Sequence, residues 1–224
     1  MKLEPWVVLG SWLLASAAAA PRPSALLVKA SPVAAPCVAA AVPRFERDSG
    51  QPVLVETAAL GPKASAEGAD VIVGADEELT HIIEGGASNP DVEADVATIP
   101  WVFVGAAAGP TDLRALERSN VHVRVLAGVV GRSARESLQG LPAERVRSVR
   151  GVSGLLPVTS GELALLPQSL AGSAPTSPSA VPPLLVRAVA AADTGKPAAA
   201  RRFVEFLAGA GNPAFRACGR GTTR

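Results

Sequence analysis

Short apolar runs recur along the chain, each shorter than a usual helix and each bounded by Gly, Pro, Ser or Asp. Residues 25–30, 52–56, 69–74, 99–105, 121–127, 162–167 and 183–190 read as strands on that basis. The run at 121–127 also alternates apolar and polar positions, as a half-buried strand does. Between these runs lie helical start and stop signals. Ser31-Pro32 joins a favoured N-cap to a favoured first helical residue and predicts a helix to about Asp48, closed by Ser49-Gly50. Asp76 is expected to cap a helix running to Glu84 and ended by Gly85-Gly86. Thr111-Asp112 opens a helix over 113–118, and further helices are expected over 131–139, 197–207 and from Asn212-Pro213 to near Cys218-Gly219. Residues 57–68 and 171–178 read as loops rich in small and turn-forming residues. Strands that alternate with helices predict an α/β fold built from βαβ units.

The first twenty residues follow a different pattern. Lys2 precedes an apolar stretch over 6–14, which runs into the small side chains of Ala15 to Ala20. This is the layout of a secretory signal peptide, with cleavage expected near Ala19 or Ala20. The apolar stretch is too short to cross ~30 Å of hydrocarbon as an anchor. About 200 residues then remain, enough for one domain or two small lobes. A hydrophobic content of 48% supplies ample core, and a net charge of +1 gives no reason to expect nucleic acid or an anionic membrane surface as partner. Export places Cys37 and Cys218 in an oxidising compartment, where an even count invites a disulfide; two buried free thiols are the alternative.

Catalytic chemistry finds little to stand on. His81 and His122 are far apart in sequence, and neither has a partner at metal-ligand spacing. Gly151-Val-Ser-Gly154 comes nearest to a nucleophile elbow but lacks the final glycine. Asp193-Thr-Gly-Lys196 has the Gly-Lys of a phosphate loop, but Pro197 stands where Ser or Thr should hold magnesium. A lone Asp-Thr-Gly also lacks the second carboxylate that acid proteolysis requires. A turn before a helix is the better reading of that segment. Neither enzyme activity, nor a metal, nor a cofactor is expected.

Several segments, in order, resemble the extracellular solute-binding proteins of ABC importers, most closely the molybdate-binding family. Leu27-Val-Lys-Ala-Ser31 is similar to that family's first strand and helix entry. Phe45-Glu-Arg-Asp-Ser-Gly50 followed by Pro52-Val-Leu-Val resembles the end of its first helix and its second strand. The best match is Gly68-Ala-Asp-Val-Ile-Val-Gly-Ala-Asp76. Gly131-Arg-Ser-Ala-Arg-Glu-Ser-Leu138, Ser160-Gly-Glu-Leu-Ala-Leu-Leu-Pro167 and Ala198-Ala-Ala-Arg-Arg-Phe-Val-Glu-Phe-Leu207 resemble later segments, so the likeness spans nearly the whole mature chain.

The resemblance implies a two-lobed α/β architecture of periplasmic-binding-protein type 2, with mixed, mostly parallel sheets and hinge strands. Residues 21–104 with 181–224 would form one lobe and 105–180 the other. It implies a monomer in the periplasm that holds a small oxyanion, molybdate- or tungstate-like, for a membrane permease. Carried over residue by residue, the ligand positions are Ser31, Ala59, Val130, Val149 and Pro167. Ser31 keeps its hydroxyl, and Val130 and Val149 match backbone donors. Ala59 has lost a hydroxyl, and Pro167 replaces a tyrosine and offers neither hydroxyl nor N–H. The helix expected between the second and third strands is trimmed to a short loop. Two lost hydrogen bonds would weaken binding by roughly 10²- to 10⁴-fold. That loss admits a second reading, a binding fold kept as an interaction or structural module in the cell envelope.

Overall fold

The computed structural model describes residues 24–60, 66–105, 113–151 and 159–220. The expected signal peptide, Thr111-Asp112 and the Ser-Gly end of the 151–154 motif lie outside the described residues. In chain order the elements are β1 (Leu26–Ala30), α1 (Ala35–Ser49), β2 (Val53–Thr57), β3 (Val71–Ala75), α2 (Asp76–Glu84), β4 (Ser88–Ile99) and β5 (Trp101–Gly105). These are followed by α3 (Leu113–Arg118), β6 (His122–Leu126), α4 (Arg132–Ser137), β7 (Val146–Val149), β8 (Glu162–Pro167), α5 (Gln168–Ala171), β9 (Thr176–Pro178), β10 (Leu184–Ala191), α6 (Pro197–Ala208) and α7 (Asn212–Arg220).

Two five-stranded mixed sheets result, ordered β2-β1-β3-β10-β4 and β7-β6-β8-β5-β9. In the first sheet β1 runs parallel to β2 and β3, while β10 is antiparallel to β3 and β4. The second repeats that plan: β6 is parallel to β7 and β8, and β5 is antiparallel to β8 and β9. β3 is buried along its whole length, as an unbroken Val-Ile-Val run predicts for a strand covered on both faces. Phe45 of α1 meets Phe203 of α6 edge-on at 4.8 Å between ring centroids, and Phe206 at 5.2 Å. A disulfide joins Cys37 of α1 to Cys218 of α7, with the Cα atoms 5.3 Å apart.

The chain passes between the sheets at two places. One is Pro100, whose missing N–H interrupts the single strand expected over 99–105 and divides it into the end of β4 and the start of β5. Its carbonyl accepts the Gln168 N–H at 2.8 Å. The other crossing follows β9, where the Ser179 hydroxyl donates to the Trp101 carbonyl at 2.9 Å. β5 therefore pairs within the second sheet. β4, β7 and β9 fill stretches for which the sequence predicts no strand, β9 within the loop expected over 171–178. All three are edge strands, and in β4 Pro90, Asp91, Glu93 and Asp95 are exposed to solvent.

The expectation for Ser31 changes too. It does not cap α1. Its carbonyl accepts the N–H groups of Ala34 and Ala35, at 3.0 and 2.8 Å, so residues 32–34 form a turn and the helix starts at Ala35. Likewise Ala75, not Asp76, precedes the first helical residue of α2.

Candidate functional site

A cavity of about 220 Å³ opens where the two sheets face each other. Pro32, Val33, Ala59, Leu60 and Glu78 line it from the first sheet's side. The loop 126–130, Gly151 and Leu170 line it from the second. The walls come from the β1–α1 turn, the end of β2, the start of α2 and the loop after β6. Strand ends meeting helix starts is the usual place for a ligand in an open α/β sheet.

The loop after β6 is held rigidly from behind. Arg135 of α4 donates from Nη1 to the Leu126 carbonyl at 2.6 Å and from Nη2 to the Gly128 carbonyl at 2.9 Å. Gly128 adopts φ +88°, a conformation that costs little only for glycine. A side chain at Gly131 would put its Cβ 1.8 Å from the Leu126 carbonyl oxygen, so the loop closes only over a glycine.

Ser31 sits at the floor of the first wall and is fully buried. Its N–H donates to the Val73 carbonyl at 2.8 Å. Its hydroxyl has no hydrogen bond of standard geometry. Buried hydroxyls are rarely left so, because desolvation costs ~1–3 kcal/mol. Beside it lies Glu78, whose Oε2 accepts the Ala75 N–H at 3.0 Å. Only 4% of Glu78 is exposed, although it lines the cavity. Burial pushes its carboxyl above the usual carboxylate range, and neighbouring Glu77 adds to this. The Ala75 N–H and the dipole of the Ser31 hydroxyl act in the opposite direction without cancelling it. Among the described residues no cationic side chain lines the cavity.

Of the five positions that the sequence singles out, Ala59 and Val130 line the cavity and Ser31 lies against it through Glu78 and the turn at Pro32. Val149 and Pro167 are not among its lining residues. Val149 ends β7 opposite Leu126, and its carbonyl accepts the Ala127 N–H at 2.9 Å. Pro167 ends β8 opposite Trp101, and three residues later Leu170 reaches the cavity. Glu78 escaped the sequence reading. Its only local signal is half a capping box: a glutamate at the third helical position with alanine, not serine or threonine, before the helix.

Other sequence features resolve elsewhere. Thr194 and Lys196 of the Asp-Thr-Gly-Lys segment clasp Asp70, with Thr194 Oγ1 2.6 Å from Oδ1 and Lys196 Nζ 2.9 Å from Oδ2. The Leu27 N–H adds a third bond to Asp70 Oδ2 at 2.8 Å. The segment thus ties the turn after β10 to the starts of β1 and β3. Among the described residues no three His, Cys, Asp or Glu side chains group as a metal site, and no helix is long and apolar enough to cross a membrane.

No protein-family model matches the sequence, and no curated protein matches it. Solved structures do match. The periplasmic molybdate-binding protein of Azotobacter vinelandii is similar at 19% identity and TM-score 0.66, over 85% of this chain and 97% of that one. The sulfate-binding protein SubI from Mycobacterium tuberculosis H37Rv is similar at 18% identity and TM-score 0.69, over 88% and 86%. A periplasmic thiamin binding protein is similar at 17% identity and TM-score 0.64, over 89% and 82%. At these identities the likeness shows the fold: two mixed sheets with helices, as in the periplasmic solute-binding proteins of type 2. These neighbours are binding proteins for chemically different ligands: molybdate, sulfate and thiamin.

Proposed function

We propose that this chain is an exported solute-binding protein that captures a small oxyanion, molybdate- or tungstate-like, between two lobes and delivers it to the permease of an ABC importer. The observation that carries this reading is the cavity between the sheets, flanked by a buried serine hydroxyl that makes no hydrogen bond of standard geometry. Its volume lies below the ~300–1,000 Å³ of sites for drug-sized ligands, which suits a small solute. The lobes are taken as the two sheets with their helices, joined at Pro100 and at residues 179–183. The leader-like N-terminus supports a periplasmic location, and the protein acts as a monomer.

Thermal unfolding in the presence of molybdate, tungstate, sulfate and phosphate tests the reading. A ligand at 100 times its Kd adds ~2.7 kcal/mol, or roughly 5–11 °C in Tm for a chain of this size. A flat response at millimolar ligand overturns it. Such a result would favour the interaction-module reading, which the apolar walls of the cavity also support.

A further inference from the structure

The proposed oxyanion meets an obstacle in its own cleft. Glu78 is the only acidic or basic side chain among the described residues that line the cavity. It is buried, its carboxylate accepts the Ala75 N–H at 3.0 Å, and the Ser31 hydroxyl lies beside it. An ionised carboxylate with no cation near it repels a second anion in a site of low dielectric. The local role of Glu78, accepting an N–H at the start of α2, needs no charge, since glutamine serves at that helical position as well. Capping therefore accounts for an acceptor there but not for an acid.

We propose that Glu78 is a ligand-contacting residue, and that an oxyanion enters this cleft only together with one proton held between its oxygen and the Glu78 carboxyl. The proton comes from either partner. For an oxyanion that carries none, such as sulfate, Glu78 must take one up from solvent. An oxyanion that already bears an acidic hydroxyl, such as hydrogen phosphate, brings its own. No bond other than the shared O–H is made or broken. The ligand class follows: protonated oxyanions are favoured over fully ionised ones near neutral pH.

Among the described residues, the surroundings of Glu78 leave few other groups to titrate. Ser31 faces it from the β1–α1 turn, Glu77 neighbours it on α2, and the backbone of Gly74 lies against it. Across the cavity, residues 126–130, Gly151 and Leu170 carry no ionisable side chain. Arg135, behind that loop, is committed to the carbonyls of Leu126 and Gly128. Burial holds the Glu78 carboxyl above its ordinary range, and neighbouring Glu77 adds to this.

This inference rests on the oxyanion reading, and the experiment separates the two. Calorimetric titrations of sulfate and of inorganic phosphate are run between about pH 5.5 and 8 on the wild-type chain and on Glu78→Gln, which retains the helix cap. Sulfate affinity of the wild type is expected to fall roughly tenfold per pH unit on the alkaline limb. Phosphate should fall less. In Glu78→Gln, sulfate binding should be independent of pH and tighter than wild type at the alkaline end. A pH-independent wild type, or a slope that survives in Glu78→Gln, overturns the inference and leaves the oxyanion reading standing. Absence of oxyanion binding in both proteins at every pH overturns that reading and the inference with it.

Discussion

Replacing Cys37 and Cys218 together with serine removes a cross-link between residues 181 apart in sequence. The chain-entropy relation gives a loop of that length about 5 kcal/mol of stabilisation at 25 °C, because closing it forbids most extended conformations of the unfolded chain. Residual compactness of real unfolded chains lowers that figure, and removal of native disulfides costs about 2–5 kcal/mol. In the folded state the bridge is one anchor of several for α7. Phe215 is buried, and the Asn212 side-chain amide donates to the Val96 carbonyl of β4. The folded chain should therefore keep α7 docked without the bridge, and the loss should fall on the unfolding equilibrium. At roughly 2–4 °C per kcal/mol for this size, Tm should drop by about 4–20 °C. Circular dichroism melts of the two proteins measure it, with thiol titration of the denatured wild type before and after reduction to verify the bridge. A double-serine protein that melts within ~2 °C of wild type would refute the argument that the cross-link restricts the unfolded chain.

Two further changes probe the cleft and the frame beneath it. Ser31→Ala removes a buried hydroxyl that makes no hydrogen bond of standard geometry, so stability should change by no more than about 1 kcal/mol while oxyanion affinity falls roughly 10- to 100-fold, the worth of one charge-assisted bond; urea unfolding and calorimetry together decide, and a strongly destabilised variant with unchanged affinity would make the hydroxyl structural. Asp70→Asn breaks the clasp to Thr194, Lys196 and the Leu27 N–H and should cost about 1–3 kcal/mol in urea unfolding at neutral pH. Burial pushes the Asp70 carboxyl up, but its hydrogen bonds and Lys196 outweigh this and hold it below its ordinary 3.8. Its contribution is thus complete above about that pH and disappears as pH falls through the lower folded value, so the variant should lack this acid-limb loss; identical acid dependence in both proteins would contradict it.

Much of the framework is legible locally. The 162–167 run becomes β8 with the same limits, and Pro197 and Asn212 begin α6 and α7 as their helix-start chemistry predicts. These elements carry their own signals, namely a short apolar run, a proline at the first turn or a closing glycine. β4 carries none, because an edge strand can expose alternating charges and bury few apolar side chains, here Val92, Val96 and Ile99. Pro100 signals a break but not that the chain leaves one sheet for another at that point.

The candidate site divides in the same way. Ser31, Ala59 and Val130 are nearest the cavity among the positions that the sequence points to, while Val149 and Pro167 end up in strand pairings instead. Glu78 acquires its importance only when α2 is packed so that its first turn faces the β1–α1 turn and the loop after β6. By itself the sequence determined most of the strands and helices, with β4, β7, α5 and β9 as exceptions, because hydrophobic period and caps act within a few residues. Tertiary structure alone decided the order of strands in each sheet and the meeting of Ser31, Glu78 and Val130 at one cavity. Those contacts join residues some fifty to a hundred positions apart, and their free energy comes from burial and pairing summed over the whole fold, which no local window contains.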